Sequence, residues 1–198
     1  MRGLPLAFPG MTVGLLGGSF DPAHEGHAHA ALVARRRLGL HKVWWLVSPQ
    51  NPLKPRSSPL AARLASARAA ARAPAMVATD IESRLGVRFT HDSLIALQRR
   101  YRGVRFVLIV GGDNLALLHR WKAWRALAGL APICVVSRPG AGVRALLSRF
   151  ARQFAGHRMS LDDARTLARA RPPAWAHVCA RHVAASSSAL RAAGRGLS

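Results

Sequence analysis

The sequence predicts an α/β fold, a doubly wound parallel sheet with helices on both faces. Three observations carry this. Short apolar runs rich in valine and tryptophan alternate with alanine-, leucine- and arginine-rich stretches of helical density. The runs are apolar throughout rather than alternating, which marks strands buried on both faces. Turn residues sit just past the strands, at Gly17-Gly18, Ser48-Pro49, Gly111-Gly112-Asp113 and Ser137-Arg138-Pro139. In such a sheet, that is where ligands bind.

Residues 1–11 read as an N-terminal extension open to disorder, with proline-broken apolar residues too short for a signal peptide. The first strand is Thr12–Leu16, and two glycines then allow a tight turn and close approach of the backbone to a ligand. Further strands are expected at Val43–Val47, Met76–Thr79, Arg105–Val110, Pro132–Val136 and His177–Ala180. Helices are expected at 28–38, 60–73, 91–101, 114–130, 142–154, 160–170 and 187–193. The stretch Ala141–Pro173 has the weakest pattern and is expected to hold variable helices.

At 198 residues the chain reads as a single domain over 1–198. Half of the residues are hydrophobic, enough for a core. No apolar stretch approaches the ~18 residues of a membrane span, so no membrane partner is expected. Cys134 and Cys179 lie in separate apolar contexts and read as buried thiols in a reducing cytoplasm. The formal charge of +22 would ordinarily point to nucleic acid. The excess is arginine, scattered through helices without interleaved aromatics, while lysine stands only at Lys42, Lys54 and Lys122. A nucleic-acid partner is therefore the minor reading. A positive field also draws in anionic nucleotides. Assembly into a homo-oligomer is compatible with the sequence.

The chemistry concentrates in Gly17-Gly18-Ser19-Phe20-Asp21-Pro22-Ala23-His24-Glu25-Gly26-His27. A strand, a glycine turn and a helix mouth follow one another. A helix start offers free N–H groups and the positive end of the dipole, which suits a phosphate. His24 and His27 are three apart and point the same way on a helical turn. A lone histidine near a helix start is most often a surface residue, but the whole string after a first strand is specific. Zinc is a poor reading, because paired histidine ligands favour i, i+4 spacing and need a third ligand.

Other motifs lie past later strands. Lys54 ends the stiff loop Ser48-Pro49-Gln50-Asn51-Pro52-Leu53-Lys54, where a phosphate contact is favoured over a solvated lysine. Thr90, after Phe89, is a plausible helix N-cap. Asp113 follows Gly111-Gly112, and Trp121 stands eight residues on. Trp124 reads as core, whereas Trp121 could offer a ring face to a planar heterocycle. Ser186-Ser187-Ser188-Ala189-Leu190-Arg191 joins hydroxyls and a guanidinium, which can hold phosphate oxygens.

From about Val13 to Arg191 these motifs resemble the bacterial nicotinate-nucleotide adenylyltransferase family, among the HxGH nucleotidyltransferases. The resemblance implies a Rossmann-like fold and adenylyl transfer from ATP to nicotinate mononucleotide, with His24 and His27 catalytic. It implies ATP on Gly17, Gly18, Ser19, Phe20, His24 and His27, with Gly111, Asp113, Ser187, Ser188 and Arg191. It implies the mononucleotide near Lys54, Phe89, Thr90, Trp121 and Arg138. Mg²⁺ is expected, held by substrate phosphates and water without protein ligands. Three departures appear: Phe89 stands where tyrosine is frequent, Ser188 where threonine is common, and Ala185 where a larger apolar residue is usual. Pantetheine-phosphate adenylyltransferase and the cytidylyltransferases share the signature and remain rivals. So, at lower weight, does a basic RNA-binding module.

Overall fold

The computed structural model describes residues 4–49, 57–137 and 142–180. The elements in order are β1 (Thr12–Gly18), α1 (Glu25–Leu38), β2 (Lys42–Val47), α2 (Leu60–Ala70), β3 (Met76–Thr79), α3 (Ile81–Arg84), α4 (Thr90–Arg100) and β4 (Arg105–Gly111). There follow α5 (Gly112–Leu117), α6 (Trp124–Leu130), β5 (Ile133–Ser137), α7 (Gly142–Leu146), α8 (Arg149–Gln153), the two-residue β6 (Arg158–Met159) and β7 (Trp175–Cys179). Short 3-10 turns at Leu118–Arg120, Ala155–His157 and Asp162–Arg169 complete the described elements.

All sheet pairings are parallel, in the order β3-β2-β1-β4-β5-β7-β6. This is the expected Rossmann-like arrangement. The order reverses between β1 and β4, which run in register from Thr12↔Arg105 to Leu16↔Ile109. Crossovers leave that point toward opposite edges, so a crevice opens at the carboxyl ends of β1 and β4.

Successive strand residues feed two separate cores, one on each face. On one face Leu15, Trp44, Leu46, Phe106 and Leu108 pack with Ile81, Leu94, Leu97, Leu115 and Trp124 from α3 to α6. On the other, Leu16, Val43, Trp45, Val107 and Ile109 pack with Ala31, Ala34 and Leu38 of α1 and Leu64 and Ala67 of α2. Trp44 and Trp45 are neighbours in sequence, yet each is fully buried in a different core.

Several expectations need correction. The helix foreseen over 114–130 is broken: Trp121 is extended and Ala123 is left-handed, at φ 48°. Packing of Trp124 against Phe150 and Phe154 sets the new helix start, with ring centroids 6.5 and 6.1 Å apart. The helix foreseen over 142–154 divides at Ser148, whose hydroxyl caps α8 through Ala151 N–H. The stretch 160–170 winds as 3-10 rather than α. Cys134 is buried as expected, and burial pushes its thiol up to about 12, but Cys179 is exposed at the end of β7. Residues 4–11 are tied down rather than loose: Tyr101 Oη donates to Pro5 O, Lys42 Nζ to Leu6 O and Gly10 N to Gly103 O. Among the described residues no helix is long and apolar enough to cross a membrane.

Candidate active site

The turn after β1 is built from its smallest residues outward. A side chain on Gly18 would lie 3.2–3.3 Å from the Phe20 ring, so the glycine lets that ring fold beneath the turn. Phe20 takes a left-handed backbone, φ 50°, which costs a non-glycine residue about 1–2 kcal/mol. Its ring is 1% exposed, stacks on Trp45 at 5.3 Å and meets the edge of His27 at 4.9 Å. Phe20, expected among the ATP contacts, is thus a support under His27. Asp21-Pro22 is cis. Ser58 N–H donates to Asp21 Oδ2 at 3.2 Å.

His24 is the N-cap of α1. Its Nδ1 accepts from Gly26 N–H at 3.1 Å, and the Nδ1 of His27 accepts from His24 N–H at 3.3 Å, a capping box made of two imidazoles. The rings lie 3.9 Å apart, so the shared direction read from the spacing holds. With Nδ1 accepting in both, a neutral ring carries its proton on Nε2. The helix start therefore brings two imidazoles, His24 buried and His27 half-buried, together with its own dipole.

On the opposite face of the sheet a cleft runs from Gly17, Gly18 and Ser48 across Leu108 and Val110 to Phe89, Thr90 and Trp121. Thr90 is not the N-cap of α4. Phe89 holds that position with extended backbone, its carbonyl taking Ser93 N–H, and Thr90 opens the first turn. Arg88, Arg120 and Lys122 also line the cleft. Lys122 Nζ sits 4.9 Å from the Phe89 ring centroid and donates to Asp92 Oδ2 at 2.8 Å. Hydrogen bonds from His91 and Lys122 hold the Asp92 carboxyl below its usual range.

Of the expected residues, the cleft brings together Gly17, Gly18, Phe89, Thr90 and Trp121. Gly111 ends β4 beside it, and Asp113 is exposed on the first turn of α5, outside the lining. Gly112 starts that helix directly against Ser137, so closely that no side chain would fit. Lys54, Arg138, Ser187, Ser188 and Arg191 lie outside the described residues.

Two buried ionisable side chains at the site were not foreseen. Arg63 of α2 is tied by its guanidinium to four backbone carbonyls around the turn. A single arginine in an arginine-rich helix carries no sequence signal. Glu82, at the start of α3, lines the cleft and is 6% exposed; the single hydroxyl proton of Ser93 has two acceptors in range, Glu82 Oε1 at 2.6 Å and Phe89 O at 3.1 Å. Burial raises the Glu82 carboxyl to about 7, with the Ser93 bond pulling the other way. The unfolded chain releases this proton near the ordinary value of 4.5, while the fold keeps it up to about 7. Stability is therefore lost as pH rises through that window, by a few kcal/mol in order of magnitude. Glu82→Gln should flatten this slope; equal urea midpoints against pH for variant and wild type would show that Glu82 ionises freely.

This is an α/β sheet with a capped His-x-Gly-His helix at its switch point. A family model described as cytidylyltransferase-like matches residues 15–193. A probable nicotinate-nucleotide adenylyltransferase of Cereibacter sphaeroides is 55% identical over 186 residues, covering 93% of this chain and 99% of its own. That of Ruegeria pomeroyi is 47% identical over 194 residues, covering 98% and 91%. The chain belongs to the nicotinate-nucleotide adenylyltransferase family within the cytidylyltransferase-like nucleotidyltransferases. A Plasmodium falciparum nicotinic acid mononucleotide adenylyltransferase complexed with NaAD shares the fold at a TM-score of 0.65 and 15% identity, covering 92% of this chain and 83% of its own.

Proposed function

We propose that the chain transfers the adenylyl group of ATP to nicotinate mononucleotide, giving deamido-NAD and pyrophosphate, in NAD biosynthesis. The observation that carries this is the meeting of two unlike subsites at one strand end. The imidazole-capped helix suits phosphates on one face, and the aromatic, cation-lined cleft suits a pyridine nucleotide on the other. An oxygen of the acceptor phosphate attacks the α-phosphorus of ATP, the bond to the bridging oxygen breaks, and pyrophosphate leaves. The acceptor is already ionised, so positioning and charge stabilisation carry the catalysis.

In this reading Nε2–H of His24 and His27 donates to phosphate oxygens as charge spreads, helped by the main chain around Gly18 and Ser19. Trp121 and Phe89 flank the pyridine ring, and Arg88, Arg120 and Lys122 favour its acidic form. Gly111 and Asp113 border the adenosine. Family resemblance adds Ser187, Ser188 and Arg191 on the pyrophosphate side, and Lys54 and Arg138 on the mononucleotide. Among the described residues no three His, Cys, Asp or Glu side chains converge on a metal position. Mg²⁺ would enter on the phosphates of ATP, as part of the substrate. The enzyme would work in the cytoplasm.

The test is pyrophosphate release with ATP and each of three acceptors. Nicotinate mononucleotide should exceed nicotinamide mononucleotide in kcat/KM by roughly tenfold or more. Equal values would reject the acid preference, and turnover with phosphopantetheine alone would move the chain to a different reaction.

A further inference from the structure

Arg63 is 1% exposed, in the first turn of α2. A buried guanidinium requires partners for its donors. Here Nε donates to Ser58 O at 2.8 Å, Nη1 to Ser19 O at 3.0 Å and Ser48 O at 2.7 Å, and Nη2 to Pro49 O at 2.8 Å. These carbonyls belong to three segments: the turn after β1, the exit of β2 and the lead into α2. Desolvation lowers the Arg63 pKa, and the nearby Asp21 opposes this by favouring the charged form. Ser58 N–H also reaches Asp21, so the turn after β1 and the lead into α2 are linked a second time.

The apolar packing of α2 is carried by Leu64 and Ala67, buried in the sheet core. A buried charge is a poor source of stability compared with an apolar residue of the same volume. What Arg63 does set is the placement of one loop against another. Ser19 leads directly to Phe20, and Phe20 carries His27 on its ring.

We propose that Arg63 is a positioning residue for adenylyl transfer: it holds the Ser19–Phe20 turn against the exit of β2, so that the His24/His27 pair meets the nucleotide phosphates in register. This rests on the adenylyl-transfer reading above. Arg63 touches neither substrate and acts through the turn. A displacement of about 1 Å at such donors is felt in the transition state more than in ground-state binding.

The experiment is steady-state kinetics and thermal melting of R63K and R63A, with ATP and nicotinate mononucleotide. Lysine keeps the charge and the stem but has a single point donor that cannot span three segments. R63K should melt close to wild type and keep both KM values, with kcat lower by roughly 10- to 100-fold. Methylguanidinium, and not ammonium, should restore part of the R63A turnover. A folded R63K with wild-type kcat overturns the proposal. So does a loss confined to KM, or failure of both variants to fold, which would make Arg63 a residue of the fold alone. Wild-type protein without turnover on this acceptor would instead overturn the functional reading, before any variant is considered.

Discussion

His24→Asn is expected to lose most of its turnover while melting at or near the wild-type temperature. The cap of α1 depends on Nδ1 of His24 accepting from the first turn. Asparagine is among the best N-cap residues, and its amide oxygen stands where Nδ1 stood. The cap therefore survives. What disappears is the donor at Nε2, and removing one donor aimed at transition-state charge costs about 10²–10³ in kcat. His27→Asn separates the two roles in the same way, since His27 Nδ1 accepts from His24 N–H. His27→Ala would lower kcat just as strongly, with about 1 kcal/mol of cap stability lost besides. Measuring kcat and the melting temperature together checks the expectation. Near wild-type turnover in His24→Asn would reduce the imidazole to a cap.

Trp121→Ala should raise KM for the mononucleotide far more than KM for ATP. Trp121 lines the cleft beside Phe89, Thr90 and Val110, with one side packed on the core and the rest accessible. Stacking on a base-like ring is worth about 1–3 kcal/mol, so a rise of roughly tenfold or more is expected. In the proposed reading the ATP phosphates sit on the imidazole-capped helix at the other face of the sheet, so the KM for ATP should hold. A variant that is merely less stable, with both KM values unchanged, would assign Trp121 to the core.

The strands were legible because a buried parallel strand leaves little choice: Val43–Val47 and Arg105–Val110 are apolar on both faces, and no helix of that length could bury them. The His-x-Gly-His string was legible for a similar reason, since glycine turn, helix start and paired imidazoles constrain one another. Elements set by tertiary contact were less so. Nothing near Trp121 or Ala123 signals a helix break, for neither glycine nor proline stands there, and the break follows from where Trp124 packs. The four residues of α3 are too few to show a period, so nothing in the sequence marks Glu82 as buried. Arg63 was hidden by composition, one arginine among thirty basic residues. The cap role of Thr90 failed because Phe89 has the extended backbone that a cap needs, and the helix starts after it.

The sheet's two cores do separate work. Residues packed with α1 and α2 support the imidazoles, while those packed with α3 to α6 shape the cleft lined by Phe89, Thr90 and Trp121. Among the described residues, the strands of the sheet lie between the two cores. Mutation can therefore explore one side without disturbing the other. A lineage could trade one phosphorylated acceptor for another by drift in the α4 and Trp121 layer, keeping its way of handling ATP. In engineering terms, the proposed function would make acceptor range adjustable apart from nucleotide chemistry, and libraries aimed at new acceptors need not include the first half of β1 or any of α1.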